Sequence, residues 1–202
     1  MTLGEDADVP AGIGERLAAF ADLLSTAIAN ARARCELERR AATDPLTGLA
    51  NRAALEERLA SEVARAGRRP LALAIVDVDC FKQVNDSHGH AVGDLVLREV
   101  ARRLAAETRG QDFVARLGGE EFAVVLSGAG VGAALGVAER VRRAVARDPI
   151  DPVGVVTVSI GICTSEGDAS PEDLMRRADA ALYRAKAEGR NVSRVCACPS
   201  PA

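Results

Sequence analysis

Tryptophan is absent from this chain, tyrosine occurs once and phenylalanine four times, so aromatics make up 2% of its 202 residues. Its core must therefore be built mainly from Ala, Val, Leu and Ile. A large net charge is also missing: the formal value is −3, which advertises no nucleic-acid or membrane surface and leaves room only for a local basic pocket. Long apolar runs are missing too. The longest, Leu71 to Val76, is far too short to span a bilayer. The N-terminus carries Glu5, Asp6 and Asp8 and has no apolar segment of the kind a signal peptide needs. Cysteine is sparse and odd in number: Cys35, Cys80, Cys163, Cys196 and Cys198. No two pairs share zinc-site spacing, so they read as free thiols in a reducing compartment. These absences describe a soluble, cytoplasmic chain.

What is present is a globular balance, 48% apolar and 27% charged, over a length that suits one domain plus an appendage. Residues 1–12 are polar and loose. Over residues 13–42 apolar side chains recur at helical spacing, from Leu17 through Phe20, Leu24 and Ile28 to Cys35. That helix either packs on its own domain or forms a parallel coiled-coil stalk between two chains. Pro45 ends it. Residues 53–66 form a further helix, 71–78 a buried strand, 81–87 a helical turn, and 93–107 an amphipathic helix with Leu95, Leu97, Val100, Ala101 and Leu104 inward. Two strands, 113–116 and 122–126, flank a hairpin-like turn at Gly118-Gly119-Glu120-Glu121. A helix over 131–146, a strand over 153–163 and a helix over 171–188 follow, the last with Pro171 in its first turn and Gly189 at its end. Residues 192–202 read as a frayed tail. The fold class is α/β, a sandwich of helices on a mixed sheet.

Acids gather at two places. Asp77-Val78-Asp79 ends the first strand, and Glu120-Glu121 sits in the later turn. If the strands are neighbours, the clusters meet at one edge of the sheet. Alternation along a strand is taken to keep Asp77 and Asp79 from serving one pocket, leaving one of them plus the Val78 carbonyl. Oxygen donors of this kind suit Mg²⁺, which usually also binds substrate phosphates; acids at strand ends also occur simply as solvated turn residues. Gly118 and Gly119 allow close approach of a phosphate or base. Lys82 opens the turn after the first cluster, where free N–H groups can cradle phosphate. Lys186 and Arg190 lie at the end of the last helix, either as dipole-favoured cations or as a clamp on a polyphosphate. Asn85 and Asp94 complement the donors and acceptor of guanine, or cap local turns.

Together these segments resemble the GGDEF family of diguanylate cyclases. The resemblance rests on Arg116-Leu-Gly-Gly-Glu-Glu-Phe122, a GGEEF form of the signature, on Asp77-Val-Asp-Cys-Phe-Lys-Gln-Val-Asn-Asp86, and on Gly89-His-Ala-Val-Gly-Asp94. Asp44-Pro-Leu-Thr-Gly-Leu-Ala-Asn-Arg52 precedes them, and Ala181-Leu-Tyr-Arg-Ala-Lys-Ala-Glu-Gly-Arg-Asn191 follows. The resemblance covers residues 41–191 and implies a fold like the palm of nucleotide cyclases and polymerases. It divides the chain into an N-terminal signalling helix over 1–42, a catalytic domain over 43–191 and a tail over 192–202. The stretch Glu15 to Arg40 also resembles the closing helix of a GAF sensor domain.

The resemblance implies an enzyme, a nucleotidyltransferase that condenses two GTP into cyclic di-GMP and two pyrophosphates as a homodimer. It implies two Mg²⁺ or Mn²⁺ ions per site, held by Asp77, the Val78 carbonyl, Glu121 and, in one version, Glu120. Glu120 is implied as the base for the ribose 3′-hydroxyl and Lys82 as a phosphate ligand in the transition state, aided by N–H groups near Cys80 and Phe81. Asn85, Asp94 and His90 are implied around guanine, Gly118 and Gly119 against the substrate, and Lys186 and Arg190 on the triphosphate. Arg109-Gly-Gln-Asp112 matches the family's RxxD inhibitory motif, with Arg140 in support, which implies product inhibition by cyclic di-GMP. The alternative is a non-catalytic module that binds GTP or cyclic di-GMP.

Overall fold

The computed structural model describes residues 20–28, 30, 42–66, 69–165 and 169–196. The chain divides into two compact units, 1–41 and 42–202. In the first, residues 20–28 are helical, and Phe20, Leu23, Leu24 and Ile28 are solvent-exposed. Their spacing of three and four places them on one helical face. Residue 30 is also helical and residue 42 is not; the rest of the expected 13–42 helix, including most of its GAF-like stretch, lies outside the described residues.

The second unit carries α1 (Arg52–Ala66), β1 (Leu71–Val78), α2 (Phe81–His88), α3 (His90–Glu107), β2 (Phe113–Gly118), β3 (Glu121–Ser127), α4 (Val131–Arg147), β4 (Val158–Ser165), α5 (Pro171–Ala187) and β5 (Ser193–Val195). The strands form one sheet in the order β2-β3-β1-β4-β5. Every neighbouring pair is antiparallel except β4 and β5, so the sheet is mixed, as anticipated.

Alternation along β1 sorts the core into two layers. Ala72, Ala74, Val76 and Val78 face α3 and α4, where Val96, Leu97, Val100, Leu104, Ala138 and Val141 meet them. Leu71, Leu73 and Ile75 face α1 and α5, against Leu55, Leu59, Leu174, Ala178 and Leu182. Both layers are aliphatic apart from a few phenylalanines, as the scarcity of aromatics requires. The helix ends follow from local chemistry. The Asn51 side chain accepts from the Ala54 N–H at 3.0 Å, and Ser170 accepts from Asp173 N–H at 3.1 Å, with Pro171 opening α5.

Backbone meets backbone closely where α5 crosses β4. A Cβ added to Gly161 would lie 2.2 Å from the Ala178 carbonyl oxygen, 2.2 Å from the Leu182 nitrogen and 2.7 Å from the Leu182 Cα. These are backbone atoms and cannot rotate aside. Gly161→Ala is therefore expected to push α5 off the sheet and cost about 3 kcal/mol. A chemical-denaturation midpoint equal to that of the parent would refute this contact.

Four expectations change. Leu95 is 43% exposed, because α3 begins at His90 and its buried stripe runs through Gly93, Val96, Leu97, Val100, Ala101 and Leu104. The strand expected from 153 begins at Val158. Residues 150–154 instead close a turn in which the Val153 and Gly154 N–H groups donate to the Ile150 carbonyl, and β1 ends at Val78, so residues before 158 have no strand to pair with. The expected tail contains a strand, β5, running parallel to Ile160–Ile162. Asp77 and Asp79 are not turned apart: side chains two positions apart share a face, and each is tied down by a different group, as described next.

Candidate active site

The site lies where β1 ends and β3 and β4 begin. Antiparallel register sets Asp77 directly opposite Glu121 on one side and Ser159 on the other. The face is fixed by the neighbours. Phe122 is fully buried in the α3–α4 layer, and Ala123 and Val125 point into the α1–α5 layer, so Glu121 shares the α1–α5 face with Asp77. Cross-strand partners of this kind hold their Cβ atoms about 5 Å apart. The Val78 N–H donates to the Glu120 carbonyl at 3.2 Å, tying the turn to the end of β1. The turn itself depends on Gly118 (φ 137°) and Gly119 (φ 53°), backbone angles that disfavour side chains.

Asp77 is 4% exposed. Burial pushes its carboxyl up to about 6; the Lys186 ammonium opposes that shift, and Glu120 and Glu121 reinforce it. Lys186 Nζ lies 2.7 Å from Asp77 Oδ2. Lys186, expected on a triphosphate, thus reaches from α5 to the acid cluster. Asp79 is occupied differently. Its carboxylate accepts from Thr157 Oγ1 at 2.6 Å, Ser159 Oγ at 2.6 Å and the Asn191 N–H at 3.0 Å. With three donors engaged it anchors the segment after α5, in which Arg190 and Asn191 both take left-handed backbone angles.

Beside this cluster, Cys80 sits at φ 58°, exposed, and starts α2. No side chain caps α2; the Gln83 and Val84 N–H groups donate to the Cys80 carbonyl, and Lys82 is exposed in the first turn. Asn85, on the last turn of α2, has a buried Oδ1 without a hydrogen-bond partner. That atom sits 2.0 Å from where a Cβ of Gly93 would be, so the absence of a side chain at 93 makes room for the Asn85 amide against α3. His90 is exposed at the start of α3. The donor set offers oxygen ligands from Asp77, Glu121 and the Val78 carbonyl. Among the described residues no three His, Cys, Asp or Glu side chains gather into a metal-binding cluster. Two carboxylates and a carbonyl fit a hard cation that takes its remaining ligands from water or phosphate, although Lys186 already pairs with Asp77.

A network that the sequence did not announce shapes the turn. Arg116 NH1 donates to both oxygens of Asp44 at 3.1 Å, while its Nε and NH2 donate to the Gly119 carbonyl at 3.1 and 2.7 Å. Asp44 also accepts from the Thr47 N–H and hydroxyl at 2.9 and 2.7 Å. Burial alone would raise the Asp44 carboxyl, but Thr47 and Arg116 outweigh it and hold it below its usual value. Arg52 Nε donates to the Leu117 carbonyl at 3.2 Å. Seventy-two residues separate Asp44 from Arg116, so no local spacing could reveal the pairing.

Remote from this cluster, Arg109, Asp112 and Arg140 line one cavity of about 220 Å³ together with Gln111, Ser127 and Gly128. The Asp112 carboxylate accepts from the Arg109 N–H at 2.8 Å, which closes the turn. Arg140 Nε pairs with Glu107 at 3.1 Å.

A family model described as "Diguanylate cyclase, GGDEF domain" matches residues 41–192. Diguanylate cyclase DgcP of Pseudomonas aeruginosa is 48% identical over 158 residues, covering 75% of this chain and 23% of that protein. The chain therefore spans about a quarter of that relative's length. The GGDEF domain of DgcB from Caulobacter crescentus, solved in complex with c-di-GMP, superposes with a TM-score of 0.74 at 36% identity, covering 77% of this chain and 95% of that one. The coiled coil and GGDEF domain of the same protein gives 0.75 at 32% identity, covering 92% and 100%. By sequence match and by fold, the chain belongs to the GGDEF family.

Proposed function

We propose that this chain is a diguanylate cyclase, joining two GTP molecules into cyclic di-GMP with release of two pyrophosphates. The observation that carries the reading is the placement of Asp77 directly across from Glu121, with the Val78 carbonyl between β1 and the turn and the open N-terminus of α2 alongside. Asp77, the Val78 carbonyl and Glu121 would hold divalent cations, Mg²⁺ or Mn²⁺, with Glu120 adjacent. Such ions supply charge neutralisation at the α-phosphate.

The chain's own residues do the rest. Lys82 and the N–H groups at Cys80 and Phe81 receive phosphate oxygens. Lys186 and Arg190, held at the site's rim by α5 and by the Asp79 anchor on Asn191, receive the triphosphate tail. Asn85 and Asp94 read the guanine edge, with His90 beside them and Gly118 and Gly119 admitting the nucleotide against the turn. Glu120 takes the proton of the ribose 3′-hydroxyl. Each 3′-oxygen forms a bond to the α-phosphorus of the other nucleotide as the bond to pyrophosphate breaks. One domain holds one nucleotide, so two domains must face each other, and catalysis is mainly positioning and charge stabilisation. The apolar face at Phe20, Leu23, Leu24 and Ile28 suits the N-terminal helix to pairing two chains. The domain then begins near residue 43 and extends through β5 rather than ending at 191.

The test is product formation from GTP and Mg²⁺ over a range of protein concentrations, read by chromatography. Cyclic di-GMP whose specific rate rises with protein concentration supports a dimeric cyclase. Binding of GTP or cyclic di-GMP without product at any concentration identifies a non-catalytic module instead.

The cavity at Arg109, Asp112 and Arg140 is read as the product's inhibitory site, since arginine forks match phosphate and guanine edges. Arg109→Ala is expected to weaken inhibition by cyclic di-GMP at least about 10-fold while early rates stay within about 2-fold of the parent. Progress curves with added product check this, and unchanged inhibition removes the assignment.

A further inference from the structure

Two thiols at the edge of the sheet play no part in the proposed reaction. Cys163 on β4 is fully buried, and Cys196, the residue after β5, is 7% exposed. Parallel register pairs Ile162 with Val195, so Cys163 and Cys196 come next as cross-strand neighbours. The Cys196 N–H extends the ladder by donating to the Ile162 carbonyl at 2.6 Å. The sulfurs lie 3.1 Å apart, the Cys196 thiol donating to Cys163 Sγ. Both are free. A covalent bond needs the sulfurs to close by only about 1 Å.

The surroundings give the two thiols different tasks. Arg177, on α5, donates from NH2 to Cys196 Sγ at 3.5 Å, which puts a guanidinium beside the sulfur where negative charge develops during reaction. Burial, and then the adjacent Cys196, push the Cys163 thiol up, and it lies behind its neighbour as the thiol that receives the Cys196 S–H.

We propose that Cys163 and Cys196 are an oxidisable dithiol that closes to a disulfide with peroxide and staples the C-terminal strand to the sheet. The Cys196 sulfur, having lost its proton, attacks one peroxide oxygen. The O–O bond breaks, giving a sulfenic acid and hydroxide, which takes up the released proton as water. The Cys163 sulfur then attacks the Cys196 sulfur, the S–O bond breaks, and the hydroxyl leaves with the Cys163 proton as a second water. Two thiols are oxidised to one disulfide and one peroxide is reduced to two waters.

The staple falls on a short edge strand of the sheet. β5 has three residues, pairs on one side only and is parallel, features of a strand that opens locally. Immediately before it lie Arg190 and Asn191 in left-handed geometry, the latter bound to Asp79. A bond at Cys196 thus governs how firmly this segment is held. The inference stands on the two sulfurs and the ladder and does not depend on the cyclase reading.

The full chain is reduced, exposed to hydrogen peroxide, quenched in acid, unfolded with an alkylating reagent and digested for mass spectrometry. The expected product is a Cys163–Cys196 cross-linked peptide lacking two hydrogens, reversed by dithiothreitol. The oxidised chain should unfold about 5–10 °C higher, as expected for closing a loop across 33 positions. Cys196→Ser and Cys163→Ala should abolish both changes, and Arg177→Gln should slow closure several-fold. Because the cross-link is read on the parent chain, a poorly folded variant leaves the test intact. Cys163 and Cys196 both alkylated after peroxide, or a bridge made mainly through Cys35, Cys80 or Cys198, would overturn the proposal.

Discussion

Glu121→Gln is expected to lower cyclic di-GMP formation by about 10³-fold or more, equivalent to about 4 kcal/mol of transition-state stabilisation. The substitution keeps the size and shape of the side chain and removes only its charge. The backbone at 121 continues to pair with Asp77, and Phe122, fully buried, continues to anchor β3, so folding should be undisturbed. What is lost is one of the two carboxylates set across from each other, the pair to which the proposed mechanism assigns the cation. GTP binding measured with and without Mg²⁺ separates the possibilities. Loss of the Mg²⁺-dependent part of affinity, with the denaturation midpoint unchanged, places the damage at the cation. A variant as fast as the parent would remove the Asp77–Glu121 pair from the chemistry altogether.

The parts of this site that lie within a few residues of one another were legible before the fold was known. Strand β1 is a continuous apolar run ending in acids, and the Gly118-Gly119 turn marks itself by composition. The parts that failed are those set by partners far away in the chain. β5 has three residues, too few for alternation to register, and exists because β4 offers an edge to it. The alternating Val155, Thr157 and Ser159 pattern continues past the point where β1 stops and so reads as strand before Val158; Val155 is 62% exposed. Asp79 is the instructive case. Its type and position match a metal ligand as well as Asp77 does, and it shares the face of Asp77. Thr157, Ser159 and the Asn191 N–H, contributed from elsewhere in the chain, fill its acceptor sites. Only the three-dimensional arrangement tells Asp77, which meets the Lys186 ammonium, from Asp79, whose carboxylate is held by three donors of the fold.

Asp44→Ala is expected to reduce turnover by about 10- to 100-fold although Asp44 is no part of the acid cluster. The effect passes through Arg116. With Asp44 in place, one guanidinium nitrogen is held by the carboxylate and the other two point at the Gly119 carbonyl. Gly119 precedes Glu120 directly, so this fork sets the height of the turn that presents both glutamates. Both side chains are largely shielded, at 12% and 17% exposure, where a charge-assisted contact is strong. Removing Asp44 frees the guanidinium to leave Gly119, and a drift of about 1 Å at a reacting group can cost about 10² in rate. Arg116→Lys should do nearly the same harm, because an ammonium keeps the charge but cannot span Asp44 and Gly119 at once. Asp44→Asn, which keeps an acceptor oxygen, should fall between. If the network merely stabilised the fold, these variants would unfold earlier yet show parent kcat when assayed well below their midpoints. If it aims the turn, kcat falls at temperatures where every molecule is folded, while the KM for GTP, set mainly by guanine and triphosphate contacts, stays within about 3-fold.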